Sequence, residues 1–183
     1  MLIKLFQTLG ISLAILFLNY IASIYSNLGS AQSILLDSLI DVIFPVISIV
    51  SVYQSGLDRT LSLIQLSVIL CLNLYFVFDR LTKPSLPNRD SSITLITMLI
   101  SFCLSVYCSI ATSKLTLETS NLSIYATAAH FQIDVIAKAC LIVISLVGIF
   151  KIKHKERIIK VLDIGTIVLI AYIAFTKLIS IVF

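Results

Sequence analysis

Long apolar stretches separated by short polar links dominate the chain. A helix that spans a membrane needs about 20 mostly apolar residues, and six stretches meet this requirement. In lipid, every backbone N–H and C=O group must find its partner within the same segment, so each stretch is predicted to be an α-helix. The predicted spans are Leu5–Ile24, Ser33–Tyr53, Leu61–Phe78, Ser92–Thr112, Ile124–Phe150 and Ile158–Phe183.

The links between these spans are too short to hold a further domain. The longest link, Asp79–Ser91, contains Pro84 and Pro87, which are typical of turns. The last apolar stretch runs to the final residue, so no C-terminal soluble domain is expected. Residues 1–183 are therefore predicted to form one all-α domain, a polytopic integral membrane protein with a bundle of six transmembrane helices.

Composition supports a membrane protein and excludes several other classes. Hydrophobic residues make up 59% of the chain and charged residues only 12%, whereas a soluble domain carries about a quarter charged residues. Most of the lysines and arginines lie in the links, as is typical of residues that flank membrane spans. The net charge of +4 is therefore not interpreted as a nucleic-acid-binding signature, and the lipid bilayer is the expected partner.

Two pairs of ionisable residues interrupt the apolar spans. Asp37 and Asp41 lie in the second span, and His130 and Asp134 lie in the fifth. Each costs about 2.5–3.5 kcal/mol at the centre of a membrane helix, so a function or a partner is expected. Both pairs are spaced i, i+4, which puts their members on one helix face. Three carboxylates and one imidazole suit a tetrahedral zinc site; structural hydrogen bonds between helices are the alternative.

Two further residues affect this predicted metal site. Pro45 follows Asp41 by four residues and cannot donate to its carbonyl group, so a kink beside the site is expected. Lys138 lies one turn beyond Asp134 on the same helix face. Its ammonium group would repel a divalent cation, or it would act as an internal counterion for Asp134 or Asp163.

The paired motifs resemble those of the cation diffusion facilitator family of zinc and related metal transporters, which carry D-x-x-x-D on helix two and commonly H-x-x-x-D on helix five. Residues 29–41, GSAQSILLDSLID, are similar to the start of the family's helix two. Residues 78–87, FDRLTKPSLP, are similar to the end of its helix three. Asp163 stands where family members often carry an acidic residue, and the resemblance extends over the whole chain.

The resemblance implies a transport site formed by Asp37, Asp41, His130 and Asp134. Its substrate would be zinc or another divalent cation, exported in exchange for protons, and a homodimer is a possible assembly. Metal and protons compete for such a site because each ligand must lose its proton to bind metal. Histidine suits this exchange because its protonation changes near neutral pH. The metal is then a transported substrate, and the chain is not an enzyme.

The sequence departs from the family pattern in three ways. Family members usually continue into a cytoplasmic metal-binding domain that helps them dimerise, and no such domain is expected after the last span of this chain. Their link between helices two and three often carries additional ligands, whereas residues 54–60 offer only Asp58. Lys138 is the third departure. These departures support an alternative function, a non-transporting membrane subunit that stabilises another transporter. An intramembrane zinc hydrolase is less well supported, because catalytic zinc keeps an open coordination position.

The membrane orientation stays open. The family topology places both termini in the cytoplasm, and a bacterial plasma membrane is the expected location. In this family topology the links that face outwards carry more basic residues than the inward ones, so the positive-inside rule favours the opposite orientation. The outward basic residues are Arg80, Lys83, Arg89, Lys151, Lys153, Lys155 and Arg157, against Lys4, Arg59 and Lys114 inward.

Overall fold

The structure, a computed structural model, describes residues 1–25, 29–82 and 91–149, together with single residues between 157 and 179. Some side chains within the helices, among them that of Asp37, lie outside this description. The described ranges contain no strand. They form five α-helices, which are α1 Leu2–Tyr25, α2 Gly29–Tyr53, α3 Asp58–Thr82, α4 Ser91–Glu118 and α5 Leu122–Ile149.

Within the described residues, four helical segments are long and apolar enough to cross a membrane, and α2 contributes the shorter apolar segment Ser38–Tyr53. The four segments are Leu2–Ile21, Ser55–Leu72, Leu95–Glu118 and Leu122–Val143. The helices extend beyond the predicted spans; α4, for example, continues to Glu118. Helices continue into polar sequence because residues such as Lys and Glu are good helix formers.

The sixth predicted span, Ile158–Phe183, lies largely outside the described residues. Every residue described between 157 and 179 is helical. One of them, Ile173, packs against the largest apolar cluster of the bundle, whose buried members come from α2, α3 and α5.

The described helices have apolar surfaces and many polar residues inside. Large apolar side chains such as those of Phe17, Leu74 and Ile110 are more than half exposed. Many of the buried residues are polar or small. Thr8, Ser12, Ser48, Ser62, Gln65, Ser101, Ser105, Thr112, Ser123 and Thr127 are all buried polar residues. This distribution is typical of helices in lipid, where small and hydroxyl-bearing residues let helices approach and form hydrogen bonds with one another.

Helix α5 lies at the centre of the described bundle. It packs against α2, α3 and α4, while α1 packs against α2 and α4. The short links place the start of α1, the ends of α2 and α4, and the starts of α3 and α5 at one end of the bundle. An ion pair between Lys4 and Glu118, with 2.9 Å between Nζ and Oε1, joins α1 to α4 there. We call this the N-terminal end of the bundle.

Helix α2 continues through Pro45 without a break in its helical assignment. The carbonyl oxygen of Phe44, just before the proline, accepts hydrogen bonds from Gln65 Nε2 and Thr127 Oγ1, each at 3.3 Å. Side chains from α3 and α5 thus reach the backbone of α2 beside the proline. The kink expected at this position stays a prediction.

Asp58 stabilises the start of α5 from another helix. Its carboxylate oxygens accept hydrogen bonds from the backbone N–H groups of Leu122 and Ser123, at 2.7 and 2.8 Å. The Asn121 side chain accepts a third, from the N–H of Ile124, at 2.9 Å. The first N–H groups of a helix have no partner within it, so Asp58 supplies acceptors for two of them. The sequence singled out Asp58 only as a possible extra ligand.

We expect Asp58→Ala to lower the free energy of unfolding by about 1–2 kcal/mol, as the loss of a helix N-cap does. Thermal unfolding in detergent would measure the change. Glu118→Gln is the matched control, because it removes an exposed carboxylate at the same end of the bundle. Exposed ion pairs contribute little to stability, so this variant should unfold at the same temperature as the native protein. Equal unfolding of Asp58→Ala and the native chain would contradict the capping role.

Candidate functional site

The most deeply buried ionisable residues of the described chain meet at mid-depth in the bundle, between α2 and α5. Asp41, His130, Asp134 and Lys138 are each at most 2% exposed. Asp41 lies about 18 Å along α2 from Tyr53, and Asp134 lies about 18 Å along α5 from Leu122, at 1.5 Å per residue. A hydrocarbon core is about 30 Å thick, so 18 Å from one end places both side chains near the middle of a membrane-spanning helix.

Asp41 and His130 join the two helices directly. The distance from His130 Nε2 to Asp41 Oδ1 is 2.9 Å, which is a hydrogen bond. Aromatic rings enclose the imidazole: its centroid lies 4.8 Å from that of Phe44 and 5.9 Å from that of Phe131. Both phenylalanines are at most 1% exposed. The rings hold the imidazole against Asp41 and exclude bulk water from this side of the contact.

Lys138 reaches both carboxylates. Its Nζ donates to Asp134 Oδ2 at 2.5 Å and lies 3.7 Å from Asp41 Oδ2. It also donates to Ser105 Oγ of α4, at 2.7 Å. The ammonium group therefore lies between one carboxylate from α2 and one from α5. Three helices contribute to its surroundings, and we call these five residues, Asp41, Ser105, His130, Asp134 and Lys138, the central cluster.

The central cluster contains three of the four predicted ligands. Asp41, His130 and Asp134 are connected to one another through the imidazole and the ammonium group, whereas the Asp37 side chain lies outside the described residues. Among the residues that the structure describes, no three His, Cys, Asp or Glu side chains gather closely enough to hold a metal ion. Lys138 Nζ lies between the carboxylates of Asp41 and Asp134. The four-ligand site stays a prediction.

The sequence allowed Lys138 either to repel a bound cation or to act as an internal counterion, and the structure places it as a counterion. It is a counterion of Asp134, and it approaches Asp41 as well. Asp163, the other acid considered, lies outside the described residues. No sequence pattern identified Ser105. The signal available for it was weak, because Ser101 and Ser105 show only an i, i+4 spacing within an apolar span.

Charge explains why the lysine is held so tightly. With both carboxylates ionised, Lys138 protonated and His130 neutral, the cluster carries one net negative charge. Removing an ion from water costs several kcal/mol, and a buried charge is tolerated when it is paired and hydrogen-bonded. Lys138 pairs with one carboxylate directly and with the other at longer range. In these protonation states the cluster is tolerated at mid-depth, and its net negative charge would attract a cation.

A second polar cluster lies between the central cluster and the N-terminal end of the bundle. Ser48 Oγ is 2.7 Å from Thr127 Oγ1 and 3.3 Å from Ser123 Oγ. Gln65 of α3 contacts both residues of α5, donating from Nε2 to Thr127 Oγ1 at 3.1 Å and accepting at Oε1 from Ser123 Oγ at 2.7 Å. The sequence does not reveal this group, because isolated hydroxyl residues in apolar helices show no pattern that pairs them.

Comparison with known proteins leaves the family assignment open. A scan against models of protein families gives no match for this chain, and a search of characterised proteins gives none either. The resemblance to the cation diffusion facilitator family therefore rests on the motifs quoted above and stays a prediction.

We expect Lys138→Met, measured with a chelator present, to lower the free energy of unfolding by about 3–5 kcal/mol, because it leaves buried carboxylates without their counterion. Asp134→Asn in the same chain should recover about 1–3 kcal/mol, because the two residues are in direct contact. A double-mutant cycle in urea or guanidinium would measure this coupling. Additive effects of the two substitutions would contradict the ion pair.

Proposed function

We propose that this chain is a six-span membrane transporter that carries a divalent cation, zinc in the first place, in exchange for protons. Asp37, Asp41, His130 and Asp134 would be the ligands, and the membrane would be a bacterial plasma membrane. The observation that carries the proposal is the central cluster itself: two carboxylates and an imidazole, buried at mid-depth, with a cationic group held between them.

The cost of the central cluster supports a transport role. An apolar core of the same size would need none of these residues, and ionisable side chains within membrane spans mark ion or proton pathways by default. Asp41 and Asp134 come from helices that pack against each other. A cation bound by both would therefore be sensitive to any relative movement of α2 and α5, as alternating access requires.

The chemistry of the ligands supports proton exchange. Carboxylates and imidazole bind a divalent cation only after losing their protons, so metal binding releases protons and an excess of protons releases metal. Imidazole together with carboxylate oxygens suits zinc and related first-row metals. At equal distance, a divalent cation is attracted to the two carboxylates twice as strongly as the ammonium group is. Metal binding in this proposal displaces Lys138 Nζ from its position between Asp41 and Asp134.

Zinc flux in proteoliposomes under an imposed pH gradient tests the proposal. The native chain should move zinc in the direction opposite to the proton flow. Asp134→Asn should abolish this flux, because the amide cannot bind or release the proton. Glu118→Gln is the matched control, since it makes the same chemical change in an exposed carboxylate, and it should transport like the native chain. Loss of flux in both variants, or in neither, would contradict the assignment of Asp134.

The same lysine supports a second function, a non-transporting membrane subunit that stabilises another transporter. Lys138 Nζ already neutralises Asp134 and lies 3.7 Å from Asp41, so a permanently bound ammonium group would leave the cluster purely structural. If this is the function, the native chain co-purifies with another membrane protein from cells. By itself, the purified native chain binds no zinc.

Zinc binding by Lys138→Ser separates the two functions. Removing the ammonium group should raise zinc affinity by about tenfold or more, because the positive charge beside the ligands is lost. Isothermal titration of the purified chain would measure this affinity. A transporter should bind zinc measurably in its native form and more tightly as the variant. A structural subunit should bind zinc only as the variant, and absence of binding in both forms would contradict the metal site.

A further inference from the structure

Asn19 places a side-chain amide deep inside the bundle, on a helix that contributes no residue to the central cluster. It lies in α1 and is fully buried. Its Nδ2 donates a hydrogen bond to Ser38 Oγ of α2. The amide oxygen can only accept hydrogen bonds, and Asn19 Oδ1 has no hydrogen-bond partner among the described residues. A buried acceptor in this condition is costly, so a ligand that would satisfy it is worth seeking.

The contact with Ser38 places this amide against the part of α2 that carries two of the proposed ligands. Ser38 directly follows Asp37 and precedes Asp41 by three residues. Residues at this second spacing are neighbours on a helix surface, and Ser38 and Asp41 are both at most 1% exposed. They are about 4.5 Å apart along the helix axis. Because Oδ1 and Nδ2 of Asn19 belong to one small planar amide, Oδ1 also lies beside this turn of α2.

Asn19 Oδ1 shares a chemical property with two of the proposed ligands. Asp41 Oδ2 and Asp134 Oδ1 are also buried oxygens without a hydrogen bond. In the part of the chain that the structure describes, these three are the only buried side-chain carbonyl or carboxylate oxygens in this condition. An amide or ionised carboxylate oxygen has no proton to donate, so each of the three can be satisfied only by a hydrogen-bond donor or a cation.

We propose that Asn19 is a further ligand of the transported cation, and that its amide oxygen extends the proposed site from α2 and α5 to α1. This inference rests on the proposed function, because it assigns one more donor to the same site. Two oxygens that bind one ion at about 2.0–2.6 Å each are at most about 5 Å apart. One turn of α2 separates Ser38 from Asp41 by a similar distance. A cation on the Ser38 side of Asp41 would supply the partner that Asn19 Oδ1 lacks.

A neutral oxygen from α1 changes which metals the site accepts. Three carboxylates and one imidazole already complete a tetrahedral zinc site. An additional carbonyl oxygen favours metals that take more than four ligands, and carboxylate and carbonyl oxygens together suit manganese(II). Asn19 therefore extends the substrate class of the proposed site from zinc to manganese(II), and its removal should return the site to a preference for zinc.

Two variants separate a ligand role of Asn19 from a purely structural one. Asn19→Leu removes the amide oxygen and keeps the size of the side chain. Ser38→Ala is the matched control, because it removes the hydrogen bond between α1 and α2 and leaves the amide oxygen in place. The probe is cadmium-113 bound to the purified chain, since its NMR resonance depends on the atoms that coordinate the ion. Isothermal titration of the same proteins gives their affinities for manganese(II) and zinc.

Asn19→Leu should move the cadmium-113 resonance and weaken manganese(II) binding by at least about tenfold, the equivalent of one lost polar contact to a charged group. Zinc binding should weaken less, because four donors remain. Ser38→Ala should keep the native resonance and affinities. A native resonance in Asn19→Leu, or equal changes in both variants, would overturn the proposal in favour of a structural bond between α1 and α2. If Asn19→Leu fails to fold by circular dichroism, Asn19→Ala removes the same oxygen.

The same measurements distinguish a failure of this inference from a failure of the proposed function. Metal binding and zinc flux in the native chain, with no effect of Asn19→Leu on the cadmium-113 resonance, would remove Asn19 from the site and leave the proposed transport intact. Absence of cadmium, manganese(II) and zinc binding in the native chain would contradict the metal site itself, and with it Asn19 as one of its ligands.

Discussion

The arrangement of the bundle depends on the charges of Asp41, Asp134 and Lys138 at mid-depth, where water cannot solvate them. Each charge has to be compensated by groups from other parts of the chain, and an ion without its partner is far more costly than a missing apolar contact. Asp41 comes from α2, and Asp134 and Lys138 come from α5. Satisfying all three charges together restricts the register of α2 against α5, and Ser105 extends the same restriction to α4.

The buried polar groups closer to the N-terminal end of the bundle are also compensated by groups from other helices, here mostly through uncharged side chains. Gln65 connects α3 to both α5 and the backbone of α2, and Asp58 joins the start of α3 to the start of α5. Apolar packing in lipid does not favour one helix rotation strongly, because the acyl chains are as apolar as leucine. Hydrogen bonds and ion pairs therefore select the faces that meet, and apolar contacts fill the remaining space.

Sequence reasoning succeeded where a single helix carries the information. Apolar runs predict helices, and the structure places Asp41, His130 and Asp134, which their i, i+4 spacing singled out, in the central cluster. Their role as metal ligands stays a prediction. Sequence reasoning left Lys138 undecided, because a long flexible side chain reaches in several directions from the same backbone position. It missed Ser105, Gln65 and Thr127 because each is a single polar residue whose partner lies on another helix, and pairing across helices depends on rotations that one helix does not specify.

A lysine in the central cluster is compatible with the proposed cation transport, and it bears on which cation such a transporter would carry. The ammonium group is tethered to α5, so it competes for the carboxylates at a high effective concentration. A free monovalent cation has the same charge and no tether, and would rarely displace it. A divalent metal has twice the charge, and it can also be coordinated by the imidazole of His130. An ammonium group cannot be coordinated in this way. Under the proposed function, Lys138 therefore excludes monovalent ions in the empty state and is displaced by a metal that imidazole and carboxylates bind together.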